Sequence, residues 1–196
     1  MQKAQKAQKA LPLIVFLVVL GAARIFGSLF PENLANLQPF GALFFAGMAL
    51  FGWRGVVLPA AAWLVTYPVT NVLQGHSVGA EFLSPVLGFA AMVGMAWFFR
   101  KASAGKVFCG SLLSALVFYL VTNTLSWAMS PLYAPKSFAT LAQALWSGIP
   151  GYPPSWMFFR NALVSQALFT GLFLVAHRVA MQSPALPWRQ AKAEQS

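Results

Sequence analysis

The chain has 196 residues, 59% of them hydrophobic and 8% charged, with a formal net charge of +10. Soluble domains carry about 25% charged residues, so this composition excludes an ordinary soluble domain and points to an integral membrane protein. The basic excess does not indicate nucleic acid, because Lys and Arg fall between the apolar runs and not on one amphipathic face.

Residues 1–10, MQKAQKAQKA, form a basic segment expected in the cytoplasm, where each lysine gains about 1 kcal/mol from anionic lipid. The run Leu11 to Leu20 follows, and with Gly21-Ala22-Ala23 it also has the form of a secretory signal and its cleavage site. Apolar character resumes after Arg24 and carries the run to Leu29, which reaches spanning length, so a retained first span is expected.

Six spans are predicted in all, at 11–29, 39–53, 55–73, 83–99, 107–129 and 156–177, giving an all-α polytopic membrane protein. The domain plan is a cytoplasmic segment 1–10, a membrane domain 11–177 and a cytoplasmic tail 178–196. With both ends inside, Lys3, Lys6, Lys9, Arg54, Arg100, Lys101, Lys106, Arg178, Arg189 and Lys192 lie on the cytoplasmic side, against Lys136 alone outside. That asymmetry selects the N-in, C-in orientation.

Direction fixes depth. The third span carries Thr66, Tyr67, Thr70 and Asn71 near its outer end, and the fifth carries Tyr119, Asn123 and Trp127 at i, i+4, i+8 on one stripe. The sixth opens with Ser155, Trp156, Arg160, Asn161 and Ser165, while Arg24 and Ser28 lie near the outer end of the first. Polarity is therefore expected on the outer side, with the inner halves apolar and Ser111 and Ser114 serving packing only. A polar group facing lipid tails has no partner, and an arginine at mid-span costs about 2.5 to 3.5 kcal/mol. These groups should face one another across a cavity open to the outside; taken singly, each also fits an aromatic belt, a snorkelling cation or helix glue.

The outer connections resemble a pocket with a lid. Glu32, Asn33 and Asn36 fall in a short cap, and His76 and Glu81 in a second loop. The long connection Ser130 to Ser155 holds Phe138, Leu141, Ala142 and Leu145 at i, i+3, i+4, i+7, predicting a helix on the membrane surface or over the cavity. Pro150, Pro153 and Pro154 then impose an extended re-entry. The expected ligand-binding set is Arg24, Asn33, Asn71, Asn123, Trp127, Trp146, Tyr152, Arg160 and Asn161, with Arg160 as the fork for a carboxylate or phosphate. No cofactor or metal is expected, and no nucleophile, base and metal combine to suggest an enzyme. Cys109 is the single cysteine, so no intrachain disulfide can form.

Several residues carry a resemblance: Arg24, Asn33, Gln38-Pro39-Phe40, Ala42-Leu43-Phe44-Phe45-Ala46-Gly47, Pro59, Thr122-Asn123 with Trp127, Tyr133, Gly148-Ile149-Pro150 and Phe158. Over residues 22–177 the chain resembles an uncharacterised family of six-span bacterial inner-membrane proteins, itself similar to the substrate-binding components of energy-coupling-factor vitamin transporters. The resemblance implies capture of a small, vitamin-like organic solute from outside, in the inner membrane, for uptake with a separate transmembrane coupling subunit and ATPase. No Walker motif occurs in the chain itself. Thr66-Tyr67 stand where that family usually has Ser-Asp, and no docking motif of small residues occurs in Leu11 to Leu20. The alternative is a non-transporting membrane scaffold of the cell-shape-subunit type.

Overall fold

A computed structural model describes residues 18, 20–30, 37–75, 79 and 82–182. The basic N-terminal segment, positions 11–17 of the first expected span, Glu32, Asn33, Asn36, His76, Glu81 and the tail from 183 lie outside the described residues. Among the described residues every regular element is helical: α1 (Leu20–Leu29), α2 (Phe40–Phe51), α3 (Trp53–Leu73), α4 (Leu83–Trp97), α5 (Ala104–Met129), a 3-10 turn (Pro131–Tyr133), α6 (Phe138–Leu145) and α7 (Ser155–Gln182). The all-α class follows.

Three helices are long and apolar enough to cross a membrane: α3, α5 and α7 over Ser155–Val179. By contrast α1, α2 and α4 are shorter apolar helices. At 1.5 Å per residue α2 is roughly 18 Å long, against a hydrocarbon core of about 30 Å. The physical stop is Gly52, whose φ of +65° turns the chain between α2 and α3 with one residue to spare. That turn lets Gly47 and Gly55 meet backbone to backbone, where a Cβ on either would lie 2.2–2.5 Å from the other's carbonyl oxygen. Beyond it α3 continues through Pro59 and Pro68. Each proline removes one backbone bond, which a membrane helix tolerates when neighbouring groups re-satisfy the carbonyls.

Contacts fix the relative directions of the helices. Gly21 faces Thr66, Arg24 bonds Thr70 and Gln74 bonds the Ser28 carbonyl, so α1 and α3 run parallel. Trp63 and Tyr67 both meet Phe82, and Trp63 meets Phe89, which sets α4 against α3. Ser84 bonds the Thr122 carbonyl while Phe99 covers Gly110, making α4 and α5 antiparallel. Tyr119 stacks on Phe159 and Ser111 bonds Gln166, making α5 and α7 antiparallel.

The chain is apolar on its outside as well as its inside. Its core gathers Phe40, Phe44, Phe45, Met48, Trp63, Phe89, Met92 and Val107. Yet Val57, Leu64, Val65, Val69 and Val72 of α3, and Leu168, Leu172, Val175 and Val179 of α7, are exposed, Val65 to 71%. On α7 those four recur at i, i+4, i+7, i+11, one stripe of the helix. A stripe of that kind is stable beside lipid tails and costly beside water.

Candidate functional site

Two groups of polar side chains are built by the helices, one where the C-terminal halves of α1 and α3 meet the start of α2 and one in the centre of the bundle. In the first, α1 presents Arg24 toward α3. Its Nη1 donates to Gln38 Oε1 at 3.0 Å and its Nη2 to Thr70 Oγ1 at 3.4 Å. The guanidinium lies 5.6, 5.5 and 5.9 Å from the ring centres of Phe40, Trp63 and Tyr67. Cation–π contacts contribute about 0.5 to 2 kcal/mol each, the larger values when desolvated. Nε is buried without a hydrogen-bond partner among the described residues.

In the centre, Ser111 Oγ donates to Gln166 Oε1 at 2.9 Å and shares a 2.6 Å bond with Thr170 Oγ1. Ser114 turns its hydroxyl to the Ser111 carbonyl at 2.7 Å. All four side chains are buried, and Gly41 on α2 admits the Gln166 amide because a Cβ there would stand 2.6 Å from Nε2. Beside them lies a partly open cavity with about 30 Å³ of room for water-sized groups, lined by Gln38, Phe89, Met92, Phe118, Ser165 and Gln166 among others. Ser165 Oγ is buried with no partner among the described residues.

The expected site residues are distributed differently. Asn71 and Asn123 turn their amides back to the Tyr67 and Tyr119 carbonyls of their own helices, at 2.8 and 2.9 Å. Trp127 Nε1 donates to Thr140 Oγ1 of α6 at 3.0 Å. Arg160 donates through Nε and Nη2 to the neighbouring Asn161 Oδ1 at 3.2 and 3.1 Å, and its guanidinium lies 5.5 Å from the Trp156 ring centre. Asn161 is buried, whereas Trp146 and Tyr152 are exposed, and Asn33 lies outside the described residues. None of the eight described ones lines the central cavity, which sits at the level of Ala115 and Phe118 on α5 and Ala162 to Gln166 on α7. Gln38 is the link: it lines the cavity and accepts from Arg24.

The expected confinement of polarity to the outer side is corrected by the same contacts. Ser111, Ser114, Gln166 and Thr170 form a buried network in the first half of α5, where Ser111, Gln166 and Thr170 bond one another across α5 and α7 and Ser114 bonds the Ser111 carbonyl of its own helix. Gln166 and Thr170 were missed from sequence; their spacing at i, i+4 from each other, with Ser111 and Ser114 in an antiparallel neighbour, was the signal available.

The connection between α5 and α7 forms a strap over the end of the bundle where α5 stops and α7 begins. Ser137 caps α6 in a reciprocal pair with Thr140. Tyr119 donates its hydroxyl to the Leu145 carbonyl, and Lys136 Nζ donates to the Trp127 and Ser130 carbonyls. The helix expected from Phe138, Leu141, Ala142 and Leu145 forms, with Ala144 buried and Phe138 86% exposed.

Residues 4–188 match the model of a family of unknown function, DUF6580. No curated protein and no solved structure matches the chain.

Proposed function

The chain belongs to the DUF6580 family of unknown function, and we propose that it is a membrane-embedded subunit that captures a small organic anion from outside the cell. In this reading all six predicted spans cross the inner membrane, with N-terminus and C-terminus inside, as in the substrate-binding components of energy-coupling-factor transporters that the sequence resembles. A separate transmembrane coupling subunit and ATPase would drive uptake. The observation that supports it is Arg24, a cation enclosed by three aromatic rings, with its buried Nε left without a hydrogen-bond partner among the described residues. An ionisable group at membrane depth is costly and is retained where it serves a ligand or an ion.

The test is a thermal-shift screen of vitamin-like and other small organic acids on the purified full chain. A ligand should stabilise the wild type, by about 2.7 kcal/mol at a hundredfold excess over Kd, and not Arg24→Gln. An ATPase pair should co-purify. Stabilisation equal in both proteins, or none by any acid, sinks the proposal. A non-transporting scaffold is favoured by one observation: the 30 Å³ of the central cavity is far below the roughly 300 Å³ at which small-molecule pockets begin. Co-purification with cell-wall or division proteins, and no ATPase, supports that reading.

A further inference from the structure

The central cavity carries an inference about ligand chemistry that goes beyond capture of an organic anion and rests on that reading for its source. Its polar lining is unbalanced. Gln38 Oε1 accepts from the Arg24 guanidinium, which can only donate, so the amide orientation is fixed and Nε2, a donor, is left without an acceptor among the described residues. Gln166 Oε1 is taken by the hydroxyls of Ser111 and Thr170, so its Nε2 is likewise the remaining polar atom, on the side of Gly41 and the cavity. Ser165 Oγ, with its residue 4% exposed, has no partner. Two amide groups and a hydroxyl thus line one cavity as donors, and the other lining groups are Gly41, Phe89, Met92, Ala115, Phe118 and Ala162, whose side chains offer no oxygen acceptor.

A full positive charge stands one side chain away, 3.0 Å from Gln38. The room of about 30 Å³ exceeds the roughly 10–15 Å³ that one ordered water needs and is far short of a whole organic ligand, so only a compact group enters. We propose that this cavity is an anion site that receives a single carboxylate head or an ion of halide size, held by Gln38, Ser165 and Gln166, with Arg24 behind Gln38 supplying the charge. A carboxylate on a solute and a free halide share this chemistry, and they are separated by experiment.

The test uses the purified full chain in detergent, with formate, acetate, benzoate and bromide as probes and acetamide as the neutral control, each read by thermal shift at constant ionic strength. Saturable stabilisation by the carboxylates and not by acetamide supports a carboxylate head; saturation by bromide as well assigns a general compact-anion site. Ser165→Ala removes a hydroxyl on which no other residue depends, so it folds, and it should weaken the apparent Kd roughly tenfold. Gln38→Glu keeps a partner for Arg24 while placing a negative charge on the cavity wall, and it should abolish the response.

Equal stabilisation by acetamide, or by none of the probes, means that a water alone occupies the cavity and overturns the proposal. So does an anion response unchanged in both variants. The outcome is separable from the solute-binding reading. An organic ligand that stabilises wild type and Ser165→Ala alike leaves that reading standing while this site fails; small anions that bind while no organic solute and no motor do leave the site standing alone.

Discussion

Among the buried hydroxyls, two serines separated by sequence and joined by α5–α7 packing should behave in opposite ways. Ser111 is bonded to Gln166 and Thr170, so Ser111→Ala leaves these two buried groups only their long 3.5 Å contact with each other and should cost about 1 to 3 kcal/mol. Ser165 has no partner to strand, so in anion-free buffer Ser165→Ala should leave the melting temperature unchanged or raise it slightly. Thermal melts of the two variants in one detergent decide the matter, and a larger loss for Ser165→Ala would reverse the assignment. Gly55→Ala should be costlier than an ordinary core change, because the added Cβ meets the Gly47 backbone and not a mobile side chain. Arg24 was legible in the sequence, since a charge within an apolar run must be accounted for. Gln166 and Thr170 were not, because an amide or hydroxyl on a lipid-exposed face and one in a core read alike until the neighbouring helix is placed. Asn123 and Asn71 show the same ambiguity resolved the other way, each bonding its own helix.

The elements themselves were written plainly in the hydrophobic runs, and their ends were not. The expected fifth span begins at 107, yet α5 starts at Ala104 after an extended Ser103, because a charged Lys106 fits the first turns of a helix that apolar counting excludes. The expected sixth ends at 177, yet α7 runs on to Gln182, because a helix continues through His177 and Arg178 where apolar counting stops. The second and fourth are shorter than expected, α2 halted by Gly52 and α4 by the turn at Arg100 and Lys101. Among the elements α6 is the one whose stability is borrowed. At eight residues it is too short to persist alone, so it depends on its cap and on the strap to α5. Thr140→Val removes the bonds from Trp127 Nε1 and from the Ser137 backbone N–H, and a loss near 1 kcal/mol should raise trypsin cleavage after the exposed Lys136 about fivefold. Unchanged cleavage would show that packing alone holds the lid. Raising the pH to 9 should not open it: burial raises the Tyr133 hydroxyl above its ordinary value, so its contribution is intact below that value and is lost only as pH climbs beyond 10.

At the scale of the whole molecule, charge and helix direction agree. The turn after α2 lies against the end of α4, since Gly52 faces the Arg100 guanidinium, and Phe51 stacks on His177 at 5.3 Å, which brings the end of α7 to the same place. Arg54, Arg100, Lys101, Lys106 and Arg178 are therefore gathered at one end of the bundle, and Lys136 stands with the strap at the other. α1 and α3 run one way, α4 the other, α5 back and α7 back again, the alternation that successive crossings require. Translocating the five-cation end would move those charges across the membrane, whereas retaining it places them beside anionic lipid at about 1 kcal/mol each. Reporter fusions after Lys106 and after Gln182 should both read cytoplasm, and a fusion at Lys136 should read the outside. The apolar length of α2 and α4 is the weak point of this scheme, so the fusion after Lys106, which follows both, is the discriminating one. An external reading there would mean that one of the short helices fails to cross, and it would reverse α5, the strap and α7 relative to α1 and so separate the cavity wall from Arg24.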